Sequence, residues 1–191
     1  MPGLLKKREM QGCEEGRRVC HAGDSKPQSI VSWRRCKMIS IQGVLVPVDF
    51  SKESILAAKF GASLAEEYNS KLYLLHVLEP LHSSVRAEIS DFDLFQQRMI
   101  DQAKEDLEKV VPAAVKQRLE VEEVLEIGQP QYVIVEKAKE LGVDVIVIAT
   151  HGRTGLAHVL LGSVAEKVIR HAPCPVFVIR NPKDKYVYGW E

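Results

Sequence analysis

"VDVIVIATHGRTGLAHVLLGSVAEKVIRHAPCPVFVIR", residues 143–180, holds the pattern that decides the fold. Its first eight residues are almost continuously apolar, as in a central parallel strand covered on both faces. A connection containing Gly152, Gly155 and Gly162 follows, then a helix from Ser163 to His171, then the apolar run "CPVFVIR" of another strand. Glycine loses more conformational entropy on ordering than any other residue. Three in one connection therefore imply a sharp turn or a close approach of the backbone to something. Two alternatives stay open on the local sequence: a structural crossover, or a cradle for phosphate.

Outward from this stretch the same alternation repeats. "IQGVLVPVDF" (41–50) is a strand ending at Pro47-Val48-Asp49. A helix follows with Ser51 as N-cap and Leu56, Phe60, Leu64 and Tyr68 at i+4 spacing on one face. "KLYLLHVL" (71–78) is a second strand, residues 79–92 read as a loop, and "DLFQQRMIDQAKEDLEKVV" (93–111) is a long amphipathic helix stopped or kinked near Pro112. "LEVEEVLEI" (119–127) alternates like a strand with one wetter face. Gly128-Gln129-Pro130 then opens a helix running through Leu141, with proline in its first turn. Such alternation implies right-handed crossovers and an α/β fold: an open, doubly wound sheet of five parallel strands with helices on both faces. Ligands in such sheets bind beyond the carboxyl ends of the strands, where the strand order reverses. Pro47-Val48-Asp49, His76-Val77 and Ala149 to Gly152 all arrive at that rim.

The chemistry of the connection points to an anion. Ser163-Val164-Ala165-Glu166 has the spacing of a capping box, which puts the helix N-terminus at Gly162-Ser163. The first N–H groups of a helix lack intrahelical partners and lie at the positive end of its dipole. Gly162 lets phosphate oxygens approach the backbone with no Cβ in the way, and the Ser163 hydroxyl can donate to them. Arg153 adds a charge at the entry, with His151 beside it. The bland alternative is a capped helix after a long connection. Neither a Walker A sequence nor a G-x-G-x-x-G after a strand is present. Asp49 is read as a ligand contact rather than a cap, because Ser51 is better placed to cap the next helix. His76 reads as a strand-end histidine with a satisfied ring, Arg170 and His171 as residues suited to a helix C-terminus, and Cys174 as a small core residue.

Composition bounds the function classes. The 191 residues suffice for one sizeable core, and their formal charge is zero. That charge is unevenly spread: residues 1–37 hold nine Lys/Arg and four Asp/Glu, net +5, leaving 17 against 22, net −5. A body of net −5 is not a general nucleic-acid binder, and no apolar run is long enough to span a bilayer. The sequence organisation is expected to be a disordered or extraneous basic leader (1–37), a globular domain (38–181) and a C-terminal tail (182–191). Cys13, Cys20 and Cys36 lie in the leader, near His21, at a spacing that fits no zinc site. Cys174 is the one cysteine of the globular part, so no disulfide framework is implied and a cytoplasmic location is expected.

The spacing Ala149-x2-Gly152-x9-Gly162-Ser163 resembles the G-x2-G-x9-G-[S/T] nucleotide loop of the universal stress protein family. The resemblance runs from about Ile41 to Arg180 and includes "VLVPVDFS", "LLHV", "HGRTG" and "LLGSVAEKVIRHAPCPVFVIR". It implies strand order 3-2-1-4-5 and an ATP-binding or other adenine-nucleotide-binding protein acting as a homodimeric sensor or signalling module in stress response. It implies that Asp49 lies by the ribose and adenine with Pro47 and Val48 beside it, and that Val77 contacts the adenine. Gly152, Gly162 and Ser163 would wrap the phosphates, with His151 and Arg153 near them and Val164 and Ala165 supplying backbone. Homodimers would form through the last strand, about Pro175 to Arg180. Ala149 stands where the family's loop has its first glycine, so reduced room is expected there. No catalytic residue or metal ligand is assigned. Any enzymatic activity is limited to slow ATP hydrolysis with Mg or Mn, because no carboxylate pair can be placed near the γ-phosphate. The alternative function is a nucleotide-independent dimeric interaction or chaperone-like protein, whose protein partners the sequence does not name.

Overall fold

Apolar runs become strands and amphipathic runs become helices in the computed structural model, which describes residues 39–81, 91–150 and 161–180. The described elements are β1 (Gly43–Pro47), α1 (Lys52–Tyr68), β2 (Lys71–Leu78), α2 (Phe92–Val110), α3 (Ala113–Lys116), β3 (Val121–Ile127), α4 (Pro130–Glu140), β4 (Val145–Ala149), α5 (Ser163–His171) and β5 (Val176–Ile179). All strand pairs are parallel and the order is β3-β2-β1-β4-β5, as the sequence and its resemblance led one to expect. The expected leader and tail lie outside the described residues.

Side chains of a strand alternate between faces, so each central strand feeds two cores. Val44, Val46, Leu72, Leu74, Val145 and Val147 pack with the α1–α3 side chains Ala58, Ala62, Leu107 and Val115. Leu45, Leu75, Ile146 and Ile148 pack on the other face against Ile134 and Ala138 of α4 and Ala165 and Val168 of α5. Every residue of β4 is buried, which explains why its sequence is apolar without alternation.

The residues of α1 closest to the sheet are small ones, beside the face of Leu56, Phe60, Leu64 and Tyr68. Ala57, Ala58, Gly61, Ala62 and Ala65 face the sheet, while Phe60, Leu64 and Tyr68 pack at its margin, partly buried. Small residues let the helix approach closely, and a Cβ on Gly61 would overlap Cγ2 of Val46. The helix starts at Ser51 as expected, its hydroxyl accepting from the Ser54 N–H at 3.2 Å. Helix α2 ends at Val110, before Pro112, but Pro112 then leads into the one-turn α3, which the sequence pattern did not reveal. The Pro112 carbonyl accepts from Val115 and Lys116 at 2.9 and 3.2 Å, which closes that turn.

Candidate functional site

The sheet's strand order reverses between β1 and β4. The helix leaving β1 covers one face, and the helix reached from β4 covers the other. The carboxyl ends of these two strands therefore border the crevice in which doubly wound sheets bind ligands.

On the β1 side, the last ladder pair is Pro47 with Leu75, and the Val48 N–H still donates to the Leu75 carbonyl at 2.8 Å. Pro47 is half-buried and the Val48 side chain belongs to the α1 core. The chain then turns sharply. Asp49 Oδ1 accepts from the Ser51 N–H at 3.0 Å and from the Ser51 hydroxyl at 2.6 Å. The Asp49 N–H donates to Ser54 Oγ at 3.3 Å. Asp49 thus orients the residue that caps α1 rather than capping it directly. Phe50, between them, has φ 64°, a left-handed conformation uncommon for a bulky residue.

His76 of β2 supports this turn from below. It is 5% exposed, and its Nδ1 lies 2.7 Å from the Val48 carbonyl oxygen, so that nitrogen carries the donated proton. The Phe50 ring lies 4.4 Å from the imidazole, centroid to centroid. The satisfied strand-end histidine expected from the sequence is therefore present. Val77 is half-buried and packs with the α4/α5 core, which leaves its backbone at the rim.

On the β4 side, Ala149 is the last strand residue, paired with Ile179 and 8% exposed. Its methyl group belongs to the α1 core. The methyl group at this position is thus packed in the core beneath the rim. Thr150 joins the two ends of the glycine connection. Its N–H donates to the Ile179 carbonyl at 3.0 Å, and its own carbonyl accepts from the Gly162 N–H at 2.6 Å. His151, Gly152 and Arg153 lie outside the described residues.

The start of α5 also departs from the expected capping box. Gly162 is the N-cap, with φ −70° and ψ 152°, and Ser163 is already the first helical residue, with no side-chain cap bond. The reason is non-local. The bond from Gly162 to Thr150 fixes Gly162 at the helix entrance, and its carbonyl accepts the first helical bond from Glu166 at 2.9 Å. The Glu166 carboxylate turns instead to Arg170 at 2.9 Å. The N–H groups of Ser163, Val164 and Ala165 consequently precede the first helical bond, beside an exposed Ser163 hydroxyl. At the helix's far end, His171 Nδ1 donates to the Lys167 carbonyl at 2.8 Å, consistent with its C-terminal reading.

One further feature lies at the rim. A shallow apolar cleft of about 120 Å³ lies at the ends of β2 and β3, lined by Leu78, Pro80, Leu81, Phe92, Met99 and Ile127 among others. Its residues come from a strand end, a helix start and a neighbouring strand, so no local pattern signals it. Among the described residues, no group of three His, Cys, Asp or Glu side chains is placed to hold a metal.

The model of the universal stress protein family matches residues 41–180. Universal stress protein MJ0531 of Methanocaldococcus jannaschii is 34% identical over 140 residues, covering 73% of this chain and 82% of that protein. A universal stress protein from Archaeoglobus fulgidus in complex with dAMP is 28% identical with TM-score 0.53, over 74% of this chain and 99% of that one. A universal stress protein in complex with cAMP is 26% identical with TM-score 0.50, over 74% and 98% of the two chains.

Proposed function

The chain belongs to the universal stress protein family, and on that premise we propose that it binds an adenine nucleotide, ATP foremost, at the carboxyl ends of β1 and β4. The observation that carries the reading is the pairing of two unlike walls at one crevice. A carboxylate turn at Asp49 suits the hydroxyls of a ribose, and the uncapped N-terminus of α5 suits phosphate oxygens. The dAMP and cAMP complexes of related structures support the same ligand class. Pro47, Val48 and Val77 flank the nucleoside in this reading. The backbones of Ala149 to Arg153 and Gly162 to Ala165 serve the phosphates.

The protein acts here as a regulatory module in which bound nucleotide is the signal, and residues 38–181 are the binding domain. Homodimers form through the outer edge of β5, from Pro175 to Arg180. A nucleotide-independent interaction protein is the second reading. The apolar edge strand favours it, with Phe177 and Val178 exposed at 42% and 37%.

Calorimetric titration with ATP and with adenosine tests the proposal. The parent protein binds both, ATP more tightly. Asp49→Ala weakens both by a similar factor, roughly tenfold for one lost charge-assisted contact. Absence of heat from either ligand in the folded parent protein contradicts nucleotide binding. A loss confined to ATP contradicts the role of Asp49.

A further inference from the structure

We infer that His76, which the nucleotide reading does not itself use, is a positioning residue for the ligand. It clamps the exit of β1 to the exit of β2, and so sets how Asp49 is presented. This rests on the proposed nucleotide site, but its geometry stands independently.

Three observations meet at this side chain. The buried imidazole donates through Nδ1 to the carbonyl of Val48, the residue immediately before Asp49. His76 is also the residue immediately before Val77, so one ring ties together the two segments assigned to the nucleoside. Its face supports Phe50, the residue immediately after Asp49, at φ 64°. Left-handed backbone is unfavourable at a residue with a Cβ, so the surrounding contacts must hold it there. Asp49 is thus held from both neighbours by a single ring, while its own Oδ1 is anchored on Ser51.

One backbone bond, from the Val48 N–H to the Leu75 carbonyl, also ties the two exits, but it ends before the Val48 carbonyl. Val48 contributes an apolar side chain to the core, and the regular pairing of β1 with β2 ends at Pro47 and Leu75. Without the imidazole donor, a buried carbonyl loses its partner next to a turn in an unfavourable conformation. The turn then samples other conformations, and ligand binding must select the competent one. Apparent affinity falls by the fraction of protein still competent.

The test compares His76→Leu, which removes the donor, with His76→Asn, whose side-chain amide sits near the place of Nδ1. Hydrogen exchange of the Ser51 and Ser54 amides reads the turn directly, with no ligand present. Titrations with ATP and adenosine read its consequence. In His76→Leu, exchange of both amides accelerates by roughly tenfold or more, and affinity for both ligands falls by a similar factor. In His76→Asn both quantities return to within about threefold of the parent. Should His76→Leu fail to fold, His76→Gln takes its place, because its longer stem puts the amide near Nε2, away from Val48. Unchanged exchange in a folded donor-less variant overturns the inference. So does an Asn variant as impaired as the Leu variant. A parent protein that binds neither ligand overturns the proposed function, while the exchange comparison still decides the role of His76.

Discussion

The two edges of the sheet are built on opposite principles. At β3, three glutamates are each held by a lysine from a different element: Glu122 by Lys71 of β2 at 2.9 Å, Glu123 by Lys116 of α3 at 2.6 Å, and Glu126 by Lys137 of α4 at 2.7 Å. Lys71 and Lys137 are held above the ordinary ammonium range, chiefly by their hydrogen bonds to Glu122 and Glu126. At β5 the four residues are Val176, Phe177, Val178 and Ile179, with no charge among them. Exposed ion pairs contribute little stability individually, so the β3 array is better explained as protection. Charges along an edge discourage a foreign strand, and an uncharged apolar edge invites one. A second copy of the chain would therefore add at β5.

The backbone of β5 makes the contrast specific. Ile146 and Thr150 of the β4 side donate to the carbonyls of Pro175 and Ile179, so the odd-numbered positions face β4. Val176 and Val178 alternate with them and turn their N–H and C=O groups outward. Val178→Pro therefore removes an outward donor and spares the inner ladder. At about 0.5–1.5 kcal/mol for each lost bond, and one lost per protomer, the dissociation constant of the proposed β5 dimer rises roughly fivefold to a hundredfold or somewhat more. Sedimentation velocity over a concentration series measures it, with circular dichroism to verify folding. A folded dimer of parental affinity would place the interface elsewhere.

The opposite edge should respond in the opposite sense. Replacing Glu123 and Glu126 together by valine removes two guards and leaves Lys116 and Lys137 without these partners. The double variant should form larger assemblies at concentrations where the parent does not, while its melting free energy changes by only about 1 kcal/mol. Light scattering during concentration distinguishes this from an inert edge, for which the two proteins would behave alike. The smallest effect concerns Cys174, at the entrance to β5. Burial, with the Asp144 carboxylate as a lesser cause, pushes its thiol pKa up. Its alkylation by iodoacetamide near neutral pH should be slower than that of an unfolded-chain thiol by roughly tenfold. Equal rates in native and denatured protein would show the entrance to be open and fluctuating.

Much of this fold is readable locally, because a parallel sheet buried on both faces writes itself as apolar runs such as residues 143–150. The strand order came from resemblance and not from periodicity, since runs of equal hydrophobicity do not reveal which neighbours they take. The small residues that α1 turns to the sheet carry little sequence signal, because large side chains mark a core whereas close helix-to-sheet packing at Gly61 requires small ones. At the site, Asp49 and the α5 entrance were legible, but their geometry was not. The capping box failed because Gly162 bonds to Thr150, beyond any local window. The left-handed Phe50 has no sequence signal at all. Its ring lies against the histidine ring of another strand, a contact that no local pattern records.

The most direct test of the phosphate wall is Gly162→Val, titrated with ATP and with adenosine alongside thermal melts. Its φ of −70° is accessible to valine, so any binding loss reports space and not backbone strain. The expected result is a folded protein whose affinity for ATP falls by roughly tenfold to about ten-thousandfold, as one or two charge-assisted contacts of about 1.5–3 kcal/mol are lost. Adenosine affinity should stay within about threefold of the parent, because its assigned contacts lie on the Asp49 side. A folded variant that binds ATP as tightly as the parent would show the α5 entrance to be only a crossover, and would contradict the phosphate site.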